Sequence, residues 1–190
     1  MKLRLLDSIV KDALNEIHLG YEHIDFREAD ILRLHEILMQ FTGNGIGGQY
    51  KTDDNVILEI DAEGRRKVRF HPTSALETPE AMEQLTLAYM DARSDANINQ
   101  LLLIPCVILD FLCIHPFRDG NGRMSRLLSL LLLYKNGFDA GKYVSFEEQI
   151  NNYKVYYYES LRKSSIDWGK NENSYFPFIE NFPVNALYVL

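Results

Sequence analysis

The amino-acid sequence predicts an all-α domain that carries one short β-hairpin. Apolar residues recur at helical spacing through most of the 190 residues, and only one stretch, at about 50–70, alternates like two strands around a turn. After it come two segments, 97–114 and 122–136, that are apolar on most sides, as central helices are. With 46% hydrophobic residues and no repeat or linker, the chain is expected to form a single domain over residues 1–190.

Two helices are predicted before the hairpin. The first covers residues 2–18, where apolar residues form one stripe. The second runs from Asp25 to about Gln40, with Asp25 as its cap and Glu28 completing a capping box. The glycine-rich segment 43–48 then interrupts regular structure. It fits a dinucleotide-binding glycine pattern, but it follows a helix and precedes a hairpin, so we interpret it as a flexible connector.

The hairpin and the helix after it have clear local signals. Residues 56–60 and 67–70 favour strands, and the turn residues 61–64 lie between them. Thr78 is predicted to cap a third helix, because Pro79 suits the first helical position.

The two central segments form a predicted helix-loop-helix core at about 97–136, and Asn136-Gly137 supplies its stop. Ser145 and Glu148 form a second capping box, which opens a helix predicted to run to about Lys163.

The C-terminal part is less regular. A last helix is expected from about Ser174. Residues 185–190 are apolar and have no helix stop, so we expect the domain to be excised from a longer protein.

Composition restricts the partners and the compartment. A formal net charge of −7 argues against a broad basic surface for nucleic acid. Cys106 and Cys113 lie seven apart in one apolar run, as buried thiols in a reducing compartment would. The most apolar stretch, 101–114, is too short to span a bilayer, and no secretory signal is visible. We therefore expect a soluble, cytoplasmic protein without a membrane partner.

The loop between the central helices carries the chemistry. A helix N-terminus presents unpaired N–H groups and the positive end of a dipole, so a loop ending near Gly122 is a natural anion site. Gly120 and Gly122 allow close approach of an oxyanion, and Asn121 can offer a side-chain amide. Arg123 and Arg126 are three apart and point along nearly one helix face, where their guanidinium groups suit phosphate oxygens.

Two further residues complete a set suited to phosphoryl or nucleotidyl transfer. Asp119 offers a hard oxygen ligand for a phosphate-bridging Mg²⁺, and His115 could take a proton from a hydroxyl. The helix C-terminus before His115 favours its charged form, which would oppose that use, and the sequence leaves this balance open.

Each residue has a plainer interpretation. Asp119 could pair with Arg123 or cap the helix, and the arginines could be solvated charges. The glycines could serve a tight turn, and His115 could close the preceding helix. Together within twelve residues, between two apolar helices, these residues favour the functional interpretation.

Residues 115–126 resemble the signature of the Fic family: His-Pro-Phe, any residue, Asp or Glu, Gly-Asn-Gly-Arg, two residues, Arg. Every specified position is met. The segment 48–51 followed by Val56 resembles the start of the family's β-hairpin flap, although Lys51 stands where an arginine is common. The run 157–161 resembles the helix that closes its adenine pocket.

This resemblance implies a protein adenylyltransferase that moves AMP from Mg-ATP to a Ser, Thr or Tyr hydroxyl of a target protein. It makes His115 the general base and Asp119 the residue that holds Mg²⁺, with Phe117 anchoring the loop. Its phosphate-binding residues would be Gly120, Asn121, Gly122, Arg123 and Arg126, the last for the γ-phosphate.

The resemblance also implies sites for the target and for adenine. The hairpin would add a segment of the target as an extra strand, docked at Tyr50, Lys51 and Val56. Tyr153 or Tyr157 would lie on the adenine side, although plain helix packing explains these tyrosines equally well.

Related proteins carry an inhibitory helix with a Ser or Thr, three residues, a Glu, and then Gly or Asn. Here only residues 73–77 have the spacing, and they lie beyond the hairpin, so we do not accept them. A separate antitoxin, a missing inhibitory segment or a different mode of regulation is therefore expected.

Rival functions differ in chemistry. Doc-type relatives transfer phosphate, and others transfer UMP or phosphocholine, or remove AMP. The Gly122-Arg123 pair resembles the adenylylating subgroup, because Doc-like loops carry a lysine there. A non-enzymatic module that binds nucleotide or a partner is a further alternative, and a transition-metal pair of His115 and Asp119 is disfavoured because no third ligand lies near.

Overall fold

A computed structural model of the chain describes residues 12–40, 42, 45–60, 63–138 and 146–182. These residues form helices and one antiparallel hairpin, so the predicted fold class is confirmed. The helices are α1 (residues 12–20), α2 (Glu28–Met39), α3 (Thr78–Ser94), α4 (Gln100–Ile114), α5 (Asn121–Lys135), α6 (Phe146–Asn152), α7 (Lys154–Ser164) and α8 (Phe176–Asn181). The strands are β1 (Ile57–Ile60) and β2 (Arg66–Phe70).

Helix α4 lies at the centre of the fold and packs against α3, α5 and α8. Its residues Ile104, Ile108 and Phe111 are fully buried, as are Leu128 and Leu131 of α5. The prediction that these two apolar segments are central helices is therefore confirmed. No helix in the described part of the chain is long and apolar enough to cross a membrane.

Both cysteines lie on α4 as free thiols, as expected. Cys113 is buried and Cys106 is half-buried. Burial raises the pKa of Cys106 to about 11 and that of Cys113 further, so neither holds appreciable thiolate at neutral pH.

The predicted cap of α2 is wrong. The helix begins at Glu28 rather than Asp25, and no side chain caps its first turn. The carboxylate of Asp30 reaches back instead, and its Oδ2 accepts the N–H of Asp25 at 2.9 Å and Nε of Arg27 at 2.7 Å. Asp30 thus provides a hydrogen-bond acceptor for the chain just before the helix. This explains why Asp25 is not needed as a cap.

The start of α3 also differs from its prediction. Thr78 is the first helical residue and Pro79 the second, and the capping residue is Glu77. The hydroxyl of Ser74 accepts the N–H of Glu77 at 3.3 Å, and Thr78 donates its hydroxyl to the carbonyl of Ser74 at 2.7 Å. Ser74 therefore binds the chain just before the helix, and no side chain caps the first turn of α3.

One long predicted helix is two. The chain leaves helical geometry at Tyr153, where φ is −112°, so that α6 ends and α7 begins. Two asparagines, Asn151 and Asn152, precede the break. Asparagine disfavours a helix interior, because its side chain can bond to nearby backbone groups in non-helical conformations. The predicted cap Ser145 lies outside the described residues. The stop at Asn136-Gly137 is confirmed, with Gly137 at φ +81°.

The hairpin pairs Leu58 with Val68 across its two strands. The register shifts between Ile57 and Leu58. Leu58, Ile60 and Val68 are exposed, whereas Ile57 and Glu59 are half-buried. One face of the hairpin therefore presents apolar side chains to the surface.

Candidate active site

The loop between α4 and α5 turns sharply at both ends. His115 ends α4 in the left-handed region, with φ 52° and ψ 59°, and Gly120 precedes α5 with φ 87°. For a residue with a side chain, this conformation costs about 1–2 kcal/mol, so neighbouring contacts must hold His115 in place.

Contacts around the His115 imidazole determine its tautomer and favour its neutral form. Its Nδ1 lies 3.3 Å from the carbonyl oxygen of Leu112, which can only accept, so Nδ1 carries the proton and Nε2 keeps the lone pair. Burial lowers the pKa of His115, the Leu112 carbonyl opposes this, and the Lys51 ammonium adds to it. The sequence left open whether His115 is charged or neutral. The lowered pKa favours the neutral imidazole.

Lys51 ties the base of the hairpin to this histidine. Its side chain is buried, and Nζ donates to the carbonyl of Ile114 at 3.0 Å and to that of Thr73 at 2.6 Å. Its backbone N–H donates to the carbonyl of Pro116 at 2.9 Å. Lys51 thus binds the residues on both sides of His115, and burial lowers the pKa of its ammonium to about 8.

Asn121 stabilises the loop from within. Its Oδ1 accepts the N–H of Phe117 at 2.9 Å and its Nδ2 donates to the carbonyl of Phe117 at 2.7 Å. Asn121 is only 2% exposed and both ends of its amide are bonded to Phe117, so the expectation that this amide binds a phosphate is corrected. Phe117 is fully buried, as an anchor in the core would be.

His35, a fully buried histidine of α2 that was not among the predicted site residues, supports the same loop. Its ring stacks on Phe117 with centroids 3.7 Å apart. Its Nδ1 accepts the N–H of Gly48 at 3.1 Å, so the proton lies on Nε2, which donates to the carbonyl of Asp119 at 3.0 Å. Its position on the apolar face of α2 was the available signal, because a buried polar group needs partners.

The glycine-rich connector is packed rather than loose at its end. A Cβ on Gly47 would lie 3.1 Å from Cα of Glu36, and Gly48 has φ +70°. The interpretation as a flexible connector is therefore wrong for these two glycines. Residues 43 and 44 lie outside the described part of the chain.

Asp119 and Arg123 form the ion pair that was the plainer alternative. Asp119 Oδ2 lies 3.2 Å from a terminal nitrogen of Arg123, and Oδ1 accepts the N–H of Gly120 at 2.6 Å. The Asp119 side chain is 62% exposed. Because the carboxylate is exposed, the pair resembles a surface ion pair, which contributes about 0–1 kcal/mol, so a stronger ligand could open it.

The N-terminus of α5 has room for an anion. The first backbone N–H of the helix that meets a backbone acceptor is that of Met124, bonded to the carbonyl of Gly120 at 2.8 Å. The N–H groups before it have no intrahelical partner. A Cβ on Gly122 would meet no atom within 4 Å, so the space beside it is open. Arg126 lies half-buried one turn further along.

The tyrosines expected near adenine lie in different places. Tyr157 is buried, with its ring 5.5 Å from Phe178 and 5.4 Å from Tyr158. Burial raises its pKa, and the nearby Arg126 charge opposes this. Tyr153 is 60% exposed. Core packing therefore accounts for Tyr157, and only Tyr153 has a surface to offer.

The three expected docking residues are also divided. Val56 is exposed, Tyr50 is half-buried with its ring 5.9 Å from Phe117, and Lys51 is buried. The Lys51 side chain, which is held by backbone carbonyls, cannot contact a docked segment. Of the three side chains, Val56 alone lies at the surface.

Replacing Gly120 by alanine is expected to destabilise the fold by about 1–2 kcal/mol, because a side chain disfavours its positive φ. A Cβ there would also lie 3.3 Å from Sδ of Met39 and 3.4 Å from Nε2 of His35. Urea unfolding measures the loss. Gly122→Ala is the matched control, since open space surrounds it and alanine suits a helix. Equal effects of the two changes would contradict this account of Gly120.

Comparison with known proteins decides the family. A family model described as Fic/DOC family matches residues 25–133, more than half of the chain. This chain belongs to the Fic/DOC family. The resemblance seen in the sequence is thereby confirmed, and members of this family transfer nucleotides or other groups to proteins.

Individual relatives agree with the family. A Fido domain-containing protein of Dictyostelium discoideum is 33% identical over 96 residues, which cover 46% of this chain and 67% of the relative. A Fic family protein from Desulfovibrio desulfuricans superposes with a TM-score of 0.69 at 25% identity. The match covers 93% of this chain and 48% of that one, so this chain spans about half the length of the solved protein.

A further solved relative is the N-terminal Fic domain of a Bartonella quintana effector protein with bound ADP. It has a TM-score of 0.61 at 14% identity, and the match covers 95% of this chain and 82% of that one. At this identity the likeness shows the fold.

Proposed function

We propose that this domain transfers AMP from Mg-ATP to a Ser, Thr or Tyr hydroxyl of a target protein. The observation that carries the proposal is a neutral His115 imidazole, with its Nε2 lone pair intact, at one end of a loop whose other end is the N-terminus of α5. A base and an anion site separated by the five residues 116–120 suit attack of a hydroxyl on a phosphate.

The phosphate-binding part would consist of backbone and charge. The N–H groups at the start of α5 would bind phosphate oxygens, and Gly122 leaves them room. Arg123, which is held by the ion pair with Asp119 and by a weak contact to Sδ of Met39, would turn to the outer phosphates, and Arg126 would serve the γ-phosphate. The ADP found in the Bartonella quintana domain supports an adenine nucleotide.

Asp119 fits the metal that such a nucleotide brings. Its carboxylate is largely exposed beside the helix N-terminus, and Mg²⁺ prefers one or two carboxylates together with phosphate oxygens and water. When bound, the ion would neutralise charge on the phosphates. Asp119 Oδ2 would hold it, while Oδ1 stays bonded to the N–H of Gly120.

The proposed reaction is a displacement at the α-phosphorus of ATP. The target hydroxyl oxygen forms a bond to the α-phosphorus, and the bond from that phosphorus to the bridging oxygen breaks, so that pyrophosphate leaves. Nε2 of His115 takes the hydroxyl proton. The chain contributes alignment, charge neutralisation and this proton transfer.

The target would dock beside the hairpin. Val56, which immediately precedes β1, is exposed, as are Leu58 and Ile60 of β1. Leu58 and Ile60 share one face of the strand, and Val56 extends this exposed apolar row, which could receive the target. We propose this row, rather than the buried Lys51, as the side-chain part of the docking surface.

ATP labelled at the α- or the γ-phosphate tests the reaction. The domain is incubated with each nucleotide and a cell lysate, and label on protein is measured after denaturation. We expect label from the α position only, together with a mass increase of one AMP on the modified protein. Label from the γ position alone would mean phosphoryl transfer, and no label from either would favour a binding module.

A further inference from the structure

One peptide unit of the loop, between Asp119 and Gly120, is held at both ends. Its carbonyl oxygen, which belongs to Asp119, accepts the Nε2 proton of His35 at 3.0 Å. Its N–H, which belongs to Gly120, donates to Oδ1 of Asp119 at 2.6 Å. The carboxylate that fits a metal is therefore oriented by the same peptide unit that His35 binds.

Peptide planarity connects these two hydrogen bonds. A trans peptide is planar and its C=O and N–H point in opposite directions, so a bond that fixes the oxygen also fixes the N–H. A donor on the carbonyl also polarises the amide and strengthens the hydrogen bond that its N–H makes. His35 thus acts on the Asp119 carboxylate through the backbone that follows it.

This peptide unit needs a restraint because it leads into glycine. Gly120 lies at φ 87°, and glycine populates positive and negative φ about equally. A flip of the plane between Asp119 and Gly120 therefore meets no side-chain barrier at Gly120. Such a flip would turn the N–H away from Oδ1, and the bond from His35 opposes it.

The His35 ring is itself fixed in plane and in tautomer. It is fully buried and stacks on Phe117 with an interplanar angle of 11°. The N–H of Gly48 occupies Nδ1, which leaves the ring proton on Nε2, where the Asp119 carbonyl needs a donor. Gly48 is packed against α2 in turn, since a Cβ on it would lie 3.3 Å from Cβ of Glu36. A rigid donor of this kind suits a positioning role.

We propose that His35 is a positioning residue for metal binding, which holds the Asp119 carboxylate ready for a phosphate-bound Mg²⁺. The proposal rests on the proposed function, because it takes Asp119 as the metal ligand. Groups that orient a metal ligand typically contribute about 10- to 100-fold to metal affinity. The role belongs to the metal and is separate from the base, His115.

Anisotropy of a fluorescent ATP analogue, measured with Mg²⁺ and with EDTA, tests the proposal without the transfer reaction. The ratio of the two affinities is the gain that the metal supplies. His35→Phe keeps a ring to stack on Phe117 but neither donates nor accepts a hydrogen bond. We expect this variant to lower the gain by about tenfold, while the affinity in EDTA stays within about threefold.

Three variants serve as controls, and thermal unfolding checks that each is folded. His35→Gln can still donate to the Asp119 carbonyl and should restore the gain to within about threefold of the wild type. Leu34→Ala also truncates a buried side chain of α2, but Leu34 lies beside Glu16 and Ile24, and the gain should not change. His35→Leu has a smaller side chain than His35→Phe and carries the same expectation, which covers a failure of His35→Phe to fold.

A double variant tests whether the effect passes through Asp119. Asp119→Asn keeps an oxygen for the N–H of Gly120 but removes the charge that binds the metal, so the gain should be lost. Adding His35→Phe to Asp119→Asn should then lower the gain no further. Two independent losses would show that His35 acts on the fold in general.

The outcomes separate this proposal from the proposed function. An unchanged gain in folded His35→Phe or His35→Leu, an equal loss in Leu34→Ala, or no recovery in His35→Gln would overturn the role of His35. A wild-type affinity that is the same with Mg²⁺ and with EDTA would overturn it together with the metal role of Asp119. Failure of the proposed function has a different signature: Mg²⁺ strengthens nucleotide binding, but no label passes from α-labelled ATP to protein.

Discussion

Replacing His115 by alanine is expected to lower the rate of AMP transfer by about 100- to 10,000-fold, the usual contribution of a positioned general base. The neutral ring offers Nε2 to the hydroxyl because burial lowers its pKa and Nδ1 is engaged by the Leu112 carbonyl. Alanine removes this proton acceptor. The loop, the N-terminus of α5 and the arginines remain, so nucleotide binding should persist within about threefold.

Two measurements separate loss of the base from loss of the fold. Incorporation of α-labelled AMP reports the chemical step, and anisotropy of a fluorescent ATP analogue reports binding. His23→Ala is the control, because His23 is an exposed histidine on the short 3-10 turn Tyr21–His23. If His115→Ala transfers AMP at a third of the wild-type rate or more, His115 is not the general base.

Local spacing was enough to predict the loop that carries the candidate site. The sequence places His115, Asp119 and Arg123 within nine residues, and the apolar segments on either side leave the loop little choice of position. The two helices that bound it were predicted to within a few residues, because their apolar character and the stop at Asn136-Gly137 are local signals.

The supporting contacts could not be predicted in the same way. His35 is 84 residues from its partner Asp119, and Lys51 is 63 residues from Ile114. Neither residue carries a local pattern that names its partner, since each bonds to a backbone carbonyl that every residue has. The wrong caps at Asp25 and Thr78 have a local cause: the carboxylate of Asp30 and the hydroxyl of Ser74 accept backbone N–H groups just before each helix.

Lys51→Met is expected to lower the turnover rate by about 10- to 100-fold, because a misplacement of about 1 Å at a reacting group can have an effect of this size. Methionine is of similar length but donates no hydrogen bond. The buried carbonyls of Ile114 and Thr73 would then lose their donor, at a cost of about 1–3 kcal/mol for each unsatisfied group. His115 directly follows Ile114 in the chain. Once Ile114 loses its bond to Lys51, His115 would leave its left-handed conformation more readily.

The pH profile distinguishes positioning of His115 from a general loss of stability. In the wild type the Lys51 charge helps to lower the pKa of His115, so activity should fall only below the ordinary histidine range as pH decreases. Without that charge the pKa of His115 rises, and the acidic limb of the profile should move to higher pH. Lys51→Arg keeps the charge and the donors and should retain the limb. The acidic limb of the pH profile could instead stay in place in Lys51→Met while the amount of folded protein falls. That result would show that Lys51 supports the fold without setting the charge state of His115.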